Sequence, residues 1–196
     1  KSTVLNRNTA TWSGGVFDTD GLTHLTLQNI DASDNAAQLD VGGFASLGVG
    51  SNTSISESVV FRSISNIGGG ALTLVQAEIY VFSTTFADNQ ITRLDPNECA
   101  HIDTEDKSRC GAGLLHASRS KVRFVGTTDR KTILRGSVGM YGGAVFLRDS
   151  ETEATFKHCE MTSNVATRSG CEYPEHCIND LYDEGKETSL NCGLTC

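Results

Sequence analysis

Pairs of adjacent glycines recur along the chain, each running into small, aliphatic or aromatic residues. They are Gly14-Gly15-Val16-Phe17, Gly42-Gly43-Phe44, Gly69-Gly70-Ala71-Leu72 and Gly142-Gly143-Ala144-Val145, with a degenerate Gly111-Ala112-Gly113-Leu114 in the gap. Glycine reaches positive φ without a Cβ clash, so each pair marks a sharp corner. After each corner comes a polar break, then an alternating run: Leu25-Thr26-Leu27, Val59-Val60-Phe61, Ile79-Tyr80-Val81-Phe82, Val122-Arg123-Phe124 and Ala154-Thr155-Phe156. A short segment then ends on Asn35, Asn66, Asn89, Gly136 or Asn164. The cleanest unit runs from Asn66 to Asn89, a period of 23 residues.

Self-similarity at that period is the signature of a solenoid. Gly and β-branched residues are poor helix formers, and no unit has room for a helix, so the coils should be strands. The expectation is an all-β chain: a right-handed parallel β-helix of about five or six coils over residues 1–168, followed by a cysteine-rich tail or cap at 169–196. A β-sandwich also has many short strands, but it does not place Gly-Gly just after an Asn corner. Asn is the best non-glycine residue for a left-handed turn, and equivalent Asn side chains on successive coils can hydrogen-bond one another. Asn35, Asn66, Asn89, Gly136 and Asn164 are therefore expected to form a turn ladder.

Gly142-Gly143-Ala144-Val145 and Gly69-Gly70-Ala71-Leu72 resemble the Gly-Gly-Ala-aliphatic motif of the chlamydial polymorphic outer-membrane protein repeats. Phe86-Ala87-Asp88-Asn89 is similar to the Phe-x-x-Asn motif paired with it. The resemblance covers most of residues 12–164 and implies a surface-exposed adhesive or structural β-helix.

The segment between each Asn slot and the next Gly pair varies most in length. It swells after Asn89 into a loop over 90–110 holding Cys99 and Cys110, and after Asn164 it runs into the tail. Both excursions should leave from one edge of the rod. Cysteines in polar loops suit disulfides in an oxidising compartment. A Cys99–Cys110 bridge would close a loop of about a dozen residues, worth about 3 kcal/mol in the chain-entropy model. Cys171, Cys177, Cys192 and Cys196 would brace the tail with a connectivity left open. Cys159, on an expected strand, is either a buried thiol or the partner of Cys171. Seven cysteines leave one over: a free thiol, an intermolecular bridge, or a partner outside this sequence. A metal reading, from His101 near Cys99 and His176 beside Cys177, matches no zinc-knuckle or ribbon spacing. No cofactor is expected.

The formal charge of −8 argues against nucleic acid, whose phosphates need a basic face. No apolar run is long enough to span a bilayer as a helix. Asn52-Thr53-Ser54 is an N-glycosylation sequon in a turn-like Gly/Ser stretch. Among acid–base candidates, Asp34 and Asp88 precede Asn slots and should share a face two coils apart, with Ser65 between them. Asp18, Asp20 and His24 form a second polar group. Neither set matches a carbohydrate-cleaving pattern, and no nucleophile elbow or phosphate-binding loop is present.

The expected function is that of a non-enzymatic extracellular or cell-surface module, structural or adhesive. It would be a building block of a surface filament, flagellar hair or wall layer, with its own copies, other surface proteins or glycans as partners. The alternative is a carbohydrate-binding or polysaccharide-cleaving β-helix.

Overall fold

The structure, a computed structural model, describes residues 2–92, 111–149 and 151–167, together with the backbone of strands His176–Ile178 and Glu187–Asn191. The described residues contain no helix, so none is long and apolar enough to cross a membrane. They form a parallel β-solenoid of about five turns, each turn contributing one short strand to each of four sheets.

The first sheet stacks Thr3–Asn6, Ile30–Ser33, Val59–Phe61, Thr85–Ala87, Thr132–Arg135 and Cys159–Thr162. The second stacks Thr9–Ala10, Ala36–Val41, Ile64–Ile67, Gln90–Ile91, Val138–Gly139 and Val165–Ala166. The third holds Phe17–Thr19, Ala45–Leu47, Leu72–Val75, Leu115–Ser118 and Val145–Arg148; the fourth holds His24–Gln28, Asn52–Ser56, Glu78–Phe82, Lys121–Val125 and Glu153–Lys157. All these pairings are parallel. The last strands of the third and fourth sheets are then met antiparallel by His176–Ile178 and Glu187–Asn191. Six strands at about 4.8 Å spacing make the first sheet roughly 24 Å tall.

The repeat is longer than 23 residues. Thr3 pairs with Ile30, Asp31 with Val59, Val59 with Thr85 and Ile133 with Glu160, spacings of 27, 28, 26 and 27. Thr85 pairs with Ile133, 48 residues on, because that coil contains the excursion beyond Thr92. The second coil carries two extra residues in its Ala36–Val41 strand, where the register shifts between Ser65 and Ile67.

The two-residue period of the strands sets the core. On the fourth sheet Leu27, Ile55, Val81, Phe124 and Phe156 stack in register and are buried. The Phe124 and Phe156 rings lie nearly parallel with centroids 5.5 Å apart, and Phe86 meets Phe124 edge-on at 6.0 Å. On the first sheet the matching row is Ala32, Val60, Phe86, Leu134 and Met161. The third sheet is buried on both sides from its third coil onward, since outward-facing Thr73, His116 and Phe146 are buried too. Its strands accordingly read as near-continuous apolar runs, such as Val145-Phe146-Leu147.

The glycine pairs form the corner between the second and third sheets, and their two members do different work. Gly14 and Gly42, the first of their pairs, have positive φ. The second members are held by contact between coils. A Cβ on Gly43 would lie 2.4 Å from the Gly70 carbonyl oxygen, one on Gly70 would lie 2.0 Å from that of Gly113, and one on Gly113 2.5 Å from that of Gly143. Each coil's backbone rests directly on the next, leaving no space for a side chain.

Candidate functional site

The chain turns from the first sheet to the second by one rule in all six coils. A residue in the left-handed region comes first: Arg7, Asp34, Arg62, Asp88, Gly136 or Ser163, with φ from 50° to 64°. An inward-facing polar residue follows: Asn8, Asn35, Ser63, Asn89, Ser137 or Asn164. The ladder therefore differs from the sequence expectation at two rungs. Asn66 lies three residues past its coil's corner, on the second sheet, where its Nδ2 donates to the Leu39 carbonyl at 3.1 Å. Gly136 occupies the left-handed position, one residue before the rung that Ser137 supplies. Asn35, Asn89 and Asn164 are true equivalents, and each grips the coil before it identically. Their Oδ1 atoms accept the backbone N–H of Asn8, Ser63 and Ser137, each at 3.0 Å. Their Nδ2 atoms donate to the carbonyls of Leu5, Val60 and Leu134.

A second ladder of hydroxyls runs up the corner between the fourth and first sheets. Ser58 Oγ accepts the Ile30 N–H at 3.0 Å and donates to the Ser56 carbonyl at 2.6 Å. Thr84 repeats the pattern, accepting from the Ser58 N–H at 3.4 Å and donating to the Phe82 carbonyl at 2.9 Å. Cys159 stands in the same column, paired with Thr132, and is buried with its Sγ 3.3 Å from the Phe124 carbonyl oxygen.

The outer row of the first-to-second corner alternates in charge: Arg7, Asp34, Arg62, Asp88. Arg62 stands between the two carboxylates that the sequence brought forward, in the place expected for Ser65. Ser65 instead faces inward, with Oγ donating to the Ile67 and Gly69 carbonyls. The Arg62 Nε donates to Asp34 Oδ1 at 2.6 Å and its Nη2 to Oδ2 at 2.8 Å. This bidentate bond holds the Asp34 carboxyl below its usual range, and the same contact raises Arg62. Arg62 also lies over the Phe61 ring, 4.2 Å from its centroid. Asp34, Arg62, Asp88 and Gln90 line an open groove of about 360 Å³. A carboxyl clamped in its ionised form is a poor proton donor, so Asp34 does not suit the acid role in glycoside hydrolysis.

Asp18 and His24 are exposed on different sheets, the third and the fourth, so that group does not converge. Among the described residues no cluster of three or more His, Cys, Asp or Glu could hold a metal ion. Asn52 is exposed as the first residue of the strand Asn52–Ser56, rather than in a turn. Its neighbours on the outward face of the fourth sheet, Glu78, Tyr80, Lys121 and Arg123, line a shallow concavity with it.

The excursions that carry cysteines leave from equivalent places, after strands Gln90–Ile91 and Val165–Ala166, two coils apart on the second sheet. Cys99, Cys110, Cys171, Cys192 and Cys196 lie outside the described residues, so the expected Cys99–Cys110 bridge does too; Cys177 lies on the strand His176–Ile178.

The sequence reading missed Ser63, Ser137, Ser58 and Thr84. The signal that finds them is a polar residue with a side-chain acceptor directly after a left-handed residue, at spacings near 27.

No family model matches the chain, and neither a curated protein nor a solved structure shows significant similarity to it.

Proposed function

We propose that this chain is a non-enzymatic, extracellular building block, a structural or adhesive module of a surface filament, flagellar hair or wall layer. The observation that carries the reading is the open face of the first coil. Its strands Thr3–Asn6, Thr9–Ala10, Phe17–Thr19 and His24–Gln28 each pair on one side only among the described residues. Four parallel backbone edges are thereby offered at one end of the rod. Unpaired edges template addition of further strands unless they are blunted, usually by Pro, bulges or charge. Neither proline of the chain falls in this coil. Its exposed side chains mix charged groups, Arg7, Asp18 and Asp20, with apolar ones, Val4 at 59%, Trp12 at 67% and Leu22 at 91%. Such an end fits another coil in register, from a second copy, another surface protein or a further segment of the same protein.

Two further points support the reading. Asp34 is engaged by Arg62, which makes it a poor proton donor. The Gly-Gly-Ala and Phe-x-x-Asn motifs resemble repeats of surface-exposed chlamydial proteins, which supports the adhesive side of the proposal. The carbohydrate-binding alternative rests on Tyr80, an exposed ring beside Arg123. No other aromatic shares its row, where Ser54 and Arg123 flank it, so a row of stacking rings along the rod is lacking.

Negative-stain electron microscopy of the full chain, with and without reductant, tests the proposal. End-to-end particles are expected, and their loss on reduction would identify the odd cysteine as the link. Dispersed monomers under both conditions would overturn it.

A further inference from the structure

The outward face of the fourth sheet holds the chain's single Asn-x-Ser/Thr sequence and an open aromatic ring in adjoining positions. In the strand Asn52–Ser56, Thr53 turns inward and is buried, so Asn52 and Ser54 both face out. Asn52 pairs in register with Glu78, and Ser54 with Tyr80 on the same neighbouring strand. Asn52 to Tyr80 is therefore one strand spacing across and two residues along, roughly 8 Å between backbones. Phe44, Phe86, Phe124 and Phe156 are all fully buried, whereas Tyr80 is 42% exposed. Lys121 and Glu78 pair at 3.9 Å on one side of the ring, and Arg123 lies on the coil beyond. These groups and Asn52 line one concavity of about 220 Å³.

We infer that Asn52 carries an N-linked glycan whose first sugars lie on Tyr80, with Arg123 and the Glu78–Lys121 pair meeting their hydroxyls. A pyranose presents a C–H face that packs on an aromatic ring, while its hydroxyls need donors and acceptors around the rim. The occupant is thus supplied by the chain's own modification. In the transfer the Asn52 amide nitrogen bonds to the anomeric carbon of an oligosaccharide carried on a polyprenyl diphosphate. The carbon–oxygen bond to the diphosphate breaks, and the amide gives one proton to the transferring enzyme. In the folded chain the Asn52 N–H bonds to the Thr23 carbonyl and the Glu78 N–H to that of Ser51, each at 2.8 Å. The strand is closed on both sides, so transfer precedes coiling. Asn52 lies in the second coil, and the proposed contact with Tyr80 directs its sugars away from the first coil.

The inference rests on the extracellular reading, through passage along a secretory pathway. To test it, the full chain is secreted from a eukaryotic host behind that host's own signal. Intact mass is measured before and after peptide-N-glycosidase treatment for the wild type, Asn52→Gln and Tyr80→Ala. One glycan is expected on the wild type and Tyr80→Ala, and none on Asn52→Gln. Removing the glycan should lower the wild-type Tm by about 2–4 °C, and that of Tyr80→Ala by less than half as much. The amide-to-acid change left by the enzyme is common to both proteins and cancels. A secreted wild type without glycan overturns the site. An equal Tm drop in the two proteins overturns the sugar–Tyr80 contact. Because the host supplies secretion, neither result bears on filament formation, which microscopy decides separately.

Discussion

The side chain of Asn89 closes one coil onto another, its Oδ1 accepting the Ser63 backbone N–H at 3.0 Å from the coil before. Its Nδ2 reaches the Val60 carbonyl in the same coil, and Asn89 is fully buried. One short side chain thus satisfies two backbone groups that the turn takes out of the ladder, and buried backbone groups left unpaired are costly.

Replacing Asn89 with Ala leaves both partners unsatisfied in a dry corner. Each lost partner costs about 1–3 kcal/mol, so Asn89→Ala should lower stability by roughly 2–6 kcal/mol. Asn66→Ala breaks exposed bonds to Leu39 and Thr92 and should cost at most about 1 kcal/mol. Urea unfolding of both variants separates the two cases. Equal losses would show that the rungs are wrongly placed.

Both members of a glycine pair are predicted to resist replacement, the first because a Cβ would strike its own turn, at 1.8 Å from the Leu72 carbonyl oxygen for Gly69, and the second because it would strike the next coil. A Cβ at Gly70 would lie 2.0 Å from the Gly113 carbonyl oxygen and 2.6 Å from the Gln90 nitrogen. Both neighbours are backbone, so Gly70→Ala must separate coils and should cost more than about 4 kcal/mol, enough to abolish soluble expression. Gly21 makes a useful contrast: its φ is +74°, yet a Cβ there meets nothing within 4 Å. Gly21→Ala carries only the left-handed backbone penalty, about 1–2 kcal/mol. Soluble yield and denaturation midpoints distinguish steric exclusion from conformational freedom.

Most of the architecture is legible in the chain because the corners are spelled in distinctive residues. Gly-Gly locates one corner of most coils, and the alternation around Leu25, Ile79, Val122 and Ala154 locates fourth-sheet strands, whereas Val59 belongs to the first sheet and the fourth-sheet strand of its coil is Asn52–Ser56. The misplaced period has a specific cause. A rung position needs only a small polar residue whose backbone N–H meets the Asn of the following coil, and Ser63 and Ser137 fill it with side-chain oxygens that make no hydrogen bond, so a pattern of Asn alone passes over them. Asn66 then stands in for Ser63 and shortens the repeat to 23. The charged row was less legible still. Left-handed corner positions accept Arg7, Asp34, Arg62 and Asp88 because their side chains point to solvent, and only the fold reveals that Arg62 reaches back to Asp34.

That ion pair has a pH signature. Arg62 holds the Asp34 carboxyl below its unfolded value, which is about 3.9 for a free aspartate. Its contribution to stability is therefore fully present above about pH 4 and is lost as pH falls through the lower folded value. The Asp34 carboxyl resonance followed by NMR should titrate below the usual range in the wild type and move up in Arg62→Gln. Between pH 4 and 2 the stability gap separating the wild type from Asp34→Asn should shrink. Identical Asp34 midpoints in wild type and Arg62→Gln would show that the pair does not persist in solution.

The filament proposal can be tested at a single backbone nitrogen. In the fourth sheet the Asn52 N–H bonds to the Thr23 carbonyl, and the Asn29 N–H to the Ser56 carbonyl. With His24 opposite Asn52, alternation then directs the N–H groups of Leu25 and Leu27 toward the second coil and that of Thr26 toward the open end. Proline is tolerated on an edge strand where the missing N–H would have faced solvent. Thr26→Pro should therefore fold as the wild type does, with a denaturation midpoint changed by no more than about 1 kcal/mol equivalent. It should also block addition of a further strand at that edge and cap end-to-end particles in the microscope. Leu25→Pro, which removes an internal ladder bond, should instead destabilise the coil itself, by about 3 kcal/mol or more. If Thr26→Pro keeps both its fold and its filaments, the first coil's fourth-sheet edge is not where the modules join.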